Sequence, residues 1–346
     1  MDFKQTFNRE IKEDAVILAI ESSCDETACA IIKGGREILS SVINSSCTEH
    51  IKFGGVVPEI ASRAHTTAIS LTVEEAVKQS GLKLTDIDAI AVTYGAGLLG
   101  ALLVGVSYAK SLAQALNIPL IPVNHIRGHL SASYLSDKEL KPPFISLLAS
   151  GGHTAIMLVK DYDEFVPLGS TLDDAVGEAF DKVARTIGLN YPGGPNIEKC
   201  ALNGQPCIEF PKMLKNEKTY DLSYSGLKTA VINYVHTKQM KGENFSCADV
   251  ACSFQKCAID ALTERVDRAV KEYKINVVTA GGGVVANAYL RQSLENLCQK
   301  LGVKCVLPAK KLCTDNACMI GAEGYIQYKK RNFADLDLNA KASVPL

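Results

Sequence analysis

The sequence has almost no net charge, and this absence excludes one broad class of protein at the start. Lysine and arginine total 37 against 38 acidic residues, which leaves a formal charge of −1. Because no basic excess spreads over the whole chain, it has no general electrostatic attraction for nucleic acid. Any contact with a polyanion must therefore be local or be supplied by a partner protein.

The twelve cysteines include no pair at C-x-x-C spacing, which excludes zinc-ribbon and thioredoxin-type motifs. Several lie five residues apart among apolar neighbours, as Cys252 and Cys257 do. This pattern predicts packed thiols in a reducing compartment instead of a disulfide framework. Residues 1–14 mix charges without an apolar run, so we expect no signal peptide. Together these features predict a cytoplasmic protein.

One uncharged stretch, from Ala89 to Ala109, is long enough for a membrane span. Its first residues are typical of a buried strand, Gly95-Ala-Gly97 of a turn, and the residues from Leu98 onward of a buried helix. We therefore interpret it as a strand, turn and helix in a globular core, and expect no membrane contact.

Two strand-turn-strand patterns, at residues 15–33 and 143–159, lie about 125 residues apart, and helical segments follow each. After the first, residues 86–91 and 118–123 are predicted to be parallel strands that a helix over residues 98–115 joins. Because a chain of 346 residues has room for two such units, we predict an α/β fold with duplicated lobes.

The second lobe continues the same plan with a strand from Asn276, a helix through Leu297 and a strand at residues 303–308. Two glycine-rich turns follow its strands, Ser150-Gly-Gly-His153 and Gly281-Gly-Gly283. Neither matches the Walker A or G-x-G-x-x-G pattern, and a single such turn is more often a tight connection. Two in one lobe predict a phosphate site, because glycines expose backbone N–H groups to an anion.

A candidate metal site begins at His125-Ile-Arg-Gly-His129, which follows a predicted strand and Asn124, a good N-cap. On a helix both imidazoles face the same side, as two nitrogen donors to a divalent ion must; capping or core histidines are the alternative. Asp315 is the candidate third donor. We expect it to open a C-terminal helix after an N-cap at Thr314, where its other interpretation is a first-turn acid. Such a donor set suits iron(II) or zinc.

This set of motifs resembles the TsaD family (Gcp, Kae-type, formerly O-sialoglycoprotein endopeptidase), in its bacterial form, from Val16 to about Tyr328. One departure is Gly95-Ala-Gly97, where the family usually has Gly-Pro-Gly. The matching segments are Glu21-Ser-Ser-Cys-Asp-Glu-Thr27, Phe53-Gly-Gly-Val-Val-Pro-Glu-Ile-Ala-Ser-Arg-Ala-His65, His125-Ile-Arg-Gly-His129, Ala149-Ser-Gly-Gly-His-Thr154, Asp174-Ala-Val-Gly-Glu-Ala-Phe-Asp-Lys182, Tyr191-Pro-Gly-Gly-Pro195, Ser223-Tyr-Ser-Gly-Leu-Lys-Thr229 and Cys313-Thr-Asp-Asn316.

The resemblance implies an α/β, two-lobed ASKHA fold, the architecture of actin and the sugar kinases. On that basis we divide the chain into an N-terminal extension at 1–14, lobe I at 15–140, lobe II at 141–312, and a C-terminal helix and tail at 313–346 that returns to lobe I. Residues at about 190–244, rich in Pro, Gly, Asn and Lys, are interpreted as an insertion in lobe II with its own short helices.

The resemblance also implies an activity, namely transfer of the threonylcarbamoyl group from threonylcarbamoyl-AMP to the exocyclic amine of adenosine 37 in tRNAs that read ANN codons, with release of AMP. One divalent metal per subunit is implied, with iron(II) favoured and zinc as the alternative. The implied partners are tRNA, a TsaB-type pseudo-homologue and a TsaE-type ATPase, with no membrane.

By position, the resemblance assigns the metal ligands to His125, His129 and Asp315. We assign no catalytic base, because Asp25 and Glu26 could accept a proton but acids in hairpin turns are commonly turn formers. The adenylate-binding residues implied are Leu148, Ala149, Ser150, Gly151, Gly152, Asp181, Gly194, Glu198 and Asn287. Candidate basic contacts to tRNA, each of which is otherwise a solvated surface group, are Lys212, Lys215, Lys218, Lys310, Lys311 and residues 329–331.

Three other functions are weighed against this one. A metalloprotease would need H-E-x-x-H, but Ile126 stands where that motif has its glutamate. An ASKHA-type ATPase or kinase fits the glycine-rich turns but leaves the histidine pair unexplained, because Mg²⁺ prefers oxygen ligands. A purely structural actin-like scaffold needs no metal donors at all.

Overall fold

The computed structural model describes residues 10–214 and 219–345. The chain divides into two units, one formed by Met1–Leu140 with Asp315–Leu346, and the other by Lys141–Thr314. Residues 1–9 of the predicted N-terminal extension lie outside the described residues, as do Lys215 and Lys218.

Each unit contains one five-stranded sheet. The first has the order β3-β2-β1-β4-β5 and the second the order β8-β7-β6-β9-β10, read in the matching direction. In both, the first three strands along the chain are antiparallel and the last two are parallel to the first. The strands are β1 (Val16–Glu21), β2 (Glu26–Lys33), β3 (Glu37–Ser45), β4 (Ala89–Gly95), β5 (Leu120–Asn124), β6 (Phe144–Ala149), β7 (Thr154–Asp161), β8 (Glu164–Ser170), β9 (Val277–Gly281) and β10 (Lys304–Val306).

This repeated topology confirms the duplicated α/β fold. The predicted start of β4 at residue 86 is wrong, because residues Leu84–Asp86 form a 3-10 turn. The Asp88 carboxylate then accepts a hydrogen bond from the Val16 N–H, so pairing with β1 begins only beyond it. The α-helices are α1 (Cys47–His50), α2 (Pro58–Ser80), α3 (Leu99–Leu116), α4 (His125–Ser131), α5 (Val176–Thr186), α6 (Gly193–Ala201), α7 (Ser225–Met240), α8 (Cys247–Tyr273), α9 (Ala288–Leu301) and α10 (Ala317–Lys329).

Helices cover both faces of the first sheet, which explains why its central strands are apolar on both sides. Side chains from one face of the sheet, Leu18 and Ile20 among them, form a buried cluster with Leu102 of α3. On the other face α10 approaches closely, because a Cβ added at Gly321 would lie 2.4 Å from Ile32. Gly324 meets Ala91 in the same way, at 2.5 Å.

Helix α3 is long and apolar enough to cross a membrane, a test that the core helix of a soluble protein also passes. Its buried side chains include Ala101, Leu102 and Val106, of which Leu102 and Val106 belong to the core cluster of the first unit. The turn before it, at Gly95-Ala-Gly97, is tightly enclosed, because a Cβ on Gly97 would lie 2.5 Å from the Ser23 carbonyl oxygen.

The second unit has a large core cluster to which its sheet and the long helix α8 contribute. The segment at 190–244 also contributes to it, through Ile197 of α6 and Leu227, Val231 and Val235 of α7. Its sequence is rich in Pro, Gly, Asn and Lys, but these four apolar residues are part of the core of the unit.

Candidate functional site

The two histidines lie on a short helix directly after a buried strand of the first unit. Strand β5 ends at Asn124 and α4 begins at His125. The Asn124 side chain accepts a hydrogen bond from the Ile126 N–H at 2.8 Å, so the predicted N-cap is confirmed. His125 and His129 are both buried, and their ring centroids lie 4.6 Å apart. The i, i+4 spacing therefore places both imidazoles together, as predicted.

Asp315 completes the cluster, but not in the way that the sequence predicted. Helix α10 begins at Ala317, and its N-cap is Asn316, whose Oδ1 accepts a hydrogen bond from the Met319 N–H at 3.1 Å. The predicted N-cap at Thr314, with Asp315 in the first turn, is therefore wrong. Because it precedes the cap, Asp315 can direct its carboxylate at the histidines instead of at the helix N–H groups.

The distances within this cluster are short enough for a shared ion. Asp315 Oδ1 lies 3.2 Å from His129 Nε2 and 3.5 Å from His125 Nε2. One donor atom from each of the three residues can be chosen so that all lie within 4.8 Å of one another. Within the part of the chain that the structure describes, both ring nitrogens of His129 are buried without a hydrogen-bond partner. Its approach to Asp315 is a close contact and not an aligned hydrogen bond.

This chemistry fits a metal ion. Burying a histidine whose nitrogens make no hydrogen bond costs free energy that a coordinated ion would recover. Burial lowers the pKa of His125, but the carboxylates of Asp315 and Glu21 outweigh it and raise that pKa to about 9. Burial keeps the pKa of His129 below its ordinary value, although Asp315 opposes the shift. Two imidazoles and a carboxylate are donors that iron(II) and zinc both accept.

A buried carboxylate next to the cluster was not predicted. Glu21, the last residue of β1, accepts a hydrogen bond from His125 Nδ1 at 3.0 Å and another from the Thr93 hydroxyl at 2.7 Å. Ser23 Oγ lies 3.1 Å from the same ring nitrogen. The sequence does carry a signal, because an acid that ends an otherwise apolar strand must find a buried partner.

The second unit contains a pocket of about 210 Å³ where its glycine-rich turns meet two helices. Five of the predicted adenylate-binding residues line it, namely Gly151, Asp181, Gly194, Glu198 and Asn287. The remaining lining residues are Gly177, Phe180, Pro192, Pro195, Gly283, Val284 and Ala286.

The other four predicted residues do not line this pocket. Leu148 and Ala149 are fully buried in β6, so only their backbone groups could serve a ligand. Gly152 is exposed on the turn. The Ser150 hydroxyl is engaged in that turn, where it accepts a hydrogen bond from the His153 N–H at 3.0 Å.

The polar residues of the pocket wall are held by the protein itself. Asp181 accepts a hydrogen bond from the Gly193 N–H at 2.6 Å, and Glu198 accepts one from the Ala288 N–H at 2.8 Å. Burial raises the pKa of Asp181 even though that N–H opposes the shift. Asn287 caps α9 through the Leu290 N–H and donates to the Gln255 side chain. These bonds fix the wall and leave carboxylate lone pairs for a ligand.

Comparison with known proteins identifies the family. Residues 37–322 match the family model for TsaD, tRNA N6-adenosine threonylcarbamoyltransferase. The chain is 52% identical over 337 residues to the protein of that name from Clostridium botulinum strain 657, covering 97% of this chain and 99% of the other. The same-named protein of Clostridium perfringens is 52% identical over 332 residues, covering 96% and 98%.

Two solved structures are similar in fold alone. HypF from T. kodakarensis matches with a TM-score of 0.60 and 13% identity, over 95% of this chain and 49% of that one. Component A of the Acidaminococcus fermentans (R)-2-hydroxyglutaryl-CoA dehydratase matches with a TM-score of 0.53 and 14% identity, over 91% and 99%. Both support the two-lobed ASKHA fold. By its sequence over nearly its whole length, the chain belongs to the TsaD family of tRNA N6-adenosine threonylcarbamoyltransferases.

Proposed function

We propose that this chain transfers a threonylcarbamoyl group from threonylcarbamoyl-AMP to the exocyclic amine of the adenosine just 3′ of the anticodon, in tRNAs that read ANN codons. The main support is the cluster of His125, His129 and Asp315 in a chain of this family. One ligand atom from each of these residues lies within 4.8 Å of the other two. In the reaction the amine nitrogen bonds to the carbamoyl carbon, the bond from that carbon to the phosphate oxygen breaks, and AMP leaves. The amine loses one proton.

His125, His129 and Asp315 would hold one divalent metal ion, which we propose to be iron(II), with zinc as the alternative. When bound, the metal supplies Lewis-acid polarisation of the carbamoyl and carboxylate oxygens of the substrate. The chain's own contribution is to fix the donors. Asn124 caps the helix that carries both histidines, and Asn316 caps the helix behind Asp315.

The AMP part of the substrate is assigned to the second unit. Gly151 is exposed, and a Cβ at Gly151 or Gly194 would meet nothing within 4 Å, so a phosphate can approach the backbone N–H groups there. Asp181 and Glu198 line this pocket, and we assign to their carboxylates the ribose hydroxyls, because a carboxylate oxygen can accept more than one hydrogen bond. Four further residues would contribute through backbone groups of their turn and strand, namely Leu148, Ala149, Ser150 and Gly152. Asn287 would contribute as the N-cap of α9, which fixes this side of the pocket.

For tRNA, a chain with a net charge of −1 offers little general attraction. Two of the candidate basic residues are already paired, because Lys212 contacts Glu264 at 3.3 Å and Lys329 contacts Glu13. We therefore propose that tRNA binding depends on the assembled complex with TsaB-type and TsaE-type proteins in the cytoplasm. Isolated chain should bind tRNA weakly at physiological salt, and tight binding by the chain alone would contradict this.

The TsaB-type partner is assigned to the helical face of the first unit. Leu71 of α2 is 68% exposed, and Leu99 and Leu103 of α3 are 49% and 40% exposed. Exposed apolar side chains on packed helices are typical of a protein interface.

Leu103→Asp should weaken the complex in a pull-down with purified partner. The matched control is Leu202→Asp in the second unit, where a leucine is 80% exposed; equal weakening by both variants would contradict the assignment.

The whole activity is tested by reconstitution. Purified chain, threonylcarbamoyl-AMP and unmodified tRNA are combined with and without the two partner proteins, and the modified nucleoside is measured by mass spectrometry after nuclease digestion. The complete set should form threonylcarbamoyladenosine. His125→Ala should abolish it, whereas the control His236→Ala, an exposed histidine on α7, should retain it. Failure of the complete set, or retained modification by His125→Ala, would overturn the proposal.

A further inference from the structure

Glu21 is an acidic residue whose side chain has no contact with solvent. It ends β1, whose other residues are apolar, and its side chain is completely buried. Three donors surround the carboxylate, namely the Thr93 hydroxyl, the Ser23 N–H and the Nδ1–H of His125. Burying a carboxylate is costly even when it is hydrogen-bonded, so a well-packed apolar residue would satisfy the core at lower cost.

The carboxylate accepts a hydrogen bond from one of the two histidines, His125. His125 is held through Nδ1 by Glu21, while its Nε2 faces Asp315 at 3.5 Å. His129, as far as the described residues go, has no hydrogen-bond partner at Nδ1. The Nδ1 atom of the first ring is therefore fixed by a hydrogen bond, whereas the Nδ1 atom of the second is not.

We propose that Glu21 is a positioning residue of the metal centre: by accepting the Nδ1–H of His125 it fixes the ring and directs the Nε2 lone pair at the metal ion. This inference rests on the proposed metal site. A histidine that donates its second N–H to a carboxylate is a better-oriented and more basic ligand, and loss of such a carboxylate typically lowers metal affinity by about 10–100-fold.

A purely structural role for Glu21 gives a different expectation. In that case the carboxylate only ties β1 to β4 and to the turn at Ser23, and its neutralisation would lower stability without a specific effect on the metal. Glu323 of α10 allows the two roles to be separated. It is also fully buried, and it accepts hydrogen bonds at 2.7 Å from Ser131 and from Gln327, neither of which is one of the three proposed metal ligands.

The test compares Glu21→Gln with the matched control Glu323→Gln. Each full-length protein is stripped of metal, and its affinity for Zn²⁺ and Co²⁺ is measured by competition with a chromophoric chelator. Glu21→Gln should bind about 10–100-fold more weakly than the parent chain. Glu323→Gln should keep the parent affinity, whatever its thermal stability. Equal affinities for the parent and Glu21→Gln would overturn the inference, and so would equal losses in the two variants.

A second variant covers the case in which Glu21→Gln does not fold. Thr93→Val removes one donor to the carboxylate and keeps the side-chain volume, so it should fold and lose a smaller factor of metal affinity, in the same direction. Unchanged affinity in both Thr93→Val and any folded Glu21 variant would overturn the proposal.

A spectroscopic readout distinguishes positioning from stability. In the Co²⁺-loaded parent chain, the Nδ1–H of His125 should give a hyperfine-shifted proton NMR signal that exchanges slowly with water, because it is donated to a buried acceptor. The signal should persist in Glu323→Gln and disappear or broaden in Glu21→Gln. Its persistence in Glu21→Gln would overturn the inference. If the parent chain binds neither metal, the proposed metal site itself is wrong. If the parent and Glu21→Gln both bind metal tightly, only the positioning role of Glu21 is wrong.

Discussion

The turns that follow the first strand of each sheet occupy corresponding places in the two units, yet their residues differ in how far they are buried. After β1 the chain continues with Ser22 and Ser23, which are buried. After β6 it continues with Ser150, which is buried, and then with Gly151 and Gly152, which are exposed. The first turn is packed with polar side chains that lead to His125, whereas the second leaves backbone groups open.

The later turns differ in the same sense. In the first unit the C-terminal segment covers the turn after β4, because Gly97 N–H donates to the Ala342 carbonyl and Tyr94 accepts from the Lys341 N–H. In the second unit the turn after β9 opens on the pocket through Gly283. On the proposed function, the same duplicated topology would serve side-chain coordination of a metal in one unit and backbone recognition of an anion in the other.

The largest expected effect comes from removing a buried donor of the first unit. His129→Leu should lower metal affinity and transfer by roughly 10²–10³-fold or more, because a metal contributes several kcal/mol to charge stabilisation. The free energy of unfolding of the metal-free variant should nevertheless be higher than that of the metal-free parent by about 1 kcal/mol. The reason is that a buried imidazole without hydrogen bonds is replaced by an apolar group. Chelator competition and urea unfolding measure the two effects.

The control for this prediction is His236→Leu, at an exposed histidine of α7, which should change neither quantity. A metal-free His129→Leu chain that is less stable than the parent would show that the histidine is held by the protein and not by an ion.

The pH dependence of metal binding gives the next largest effect. The pKa of His125 is raised to about 9 in the metal-free chain, so at lower pH the ion must displace a proton from this ring. Affinity should therefore fall about tenfold for each pH unit below 9 and level off above it. Titrations with Zn²⁺ between pH 6.5 and 9.5 measure the slope.

The second unit should not share this dependence, because no histidine lines its pocket. AMP binding should stay flat from about pH 7 to 9, where its phosphate is fully ionised. A flat metal titration, or a steep AMP titration, would remove the contrast between the two sites.

Glycines of the second unit provide a matched pair of smaller effects. Gly282 has φ +99° and a Cβ there would lie 2.4 Å from the Ala149 carbonyl oxygen, so Gly282→Ala should cost at least about 1–3 kcal/mol of stability. Gly194 lies in α6, and a Cβ added there would meet nothing within 4 Å. Gly194→Ala should therefore keep or slightly raise the stability of the protein. It should raise KM for threonylcarbamoyl-AMP without loss of metal. Unchanged KM in Gly194→Ala would argue against this pocket.

Helix caps offer the smallest and most symmetrical comparison. Asn124 caps α4 in the first unit and Asn287 caps α9 in the second. Replacement of either by alanine should cost about 1 kcal/mol of stability. Asn124→Ala should weaken metal binding and leave AMP binding unchanged, and Asn287→Ala should do the reverse, as calorimetric titrations with each ligand would measure. Loss of AMP binding in Asn124→Ala, or of metal binding in Asn287→Ala, would contradict the assignment of one ligand to each unit.

Much of this could be predicted from the sequence, because local patterns carry it. The duplicated strands follow from apolar runs and turns, and the facing histidines follow from their i, i+4 spacing. The start of α10 was mispredicted because Thr314, Asp315 and Asn316 can each cap a helix, and only packing selects Asn316. The contact between Glu21 and His125 joins residues 104 positions apart, which no local pattern encodes.

The second unit shows the same limit. The composition of residues 190–244 gives no sign of core positions, yet Leu227 and Val231 of this predicted insertion pack in the main core. Family resemblance placed Leu148 and Ala149 in the adenylate site, whereas the structure buries their side chains in β6. Five of the nine residues that the motifs assigned therefore line one pocket, and only packing shows that the side chains of Leu148 and Ala149 do not face it.

The central claim is that the first unit holds a metal ion on three side chains. Anomalous X-ray scattering from a crystal of the metal-loaded chain, measured on both sides of the iron or zinc edge, tests it most directly. The account predicts one strong peak about 2.0–2.2 Å from His125 Nε2, His129 Nε2 and an Asp315 oxygen. A crystal grown with metal that shows no peak there, or whose single peak lies on other residues, would contradict it.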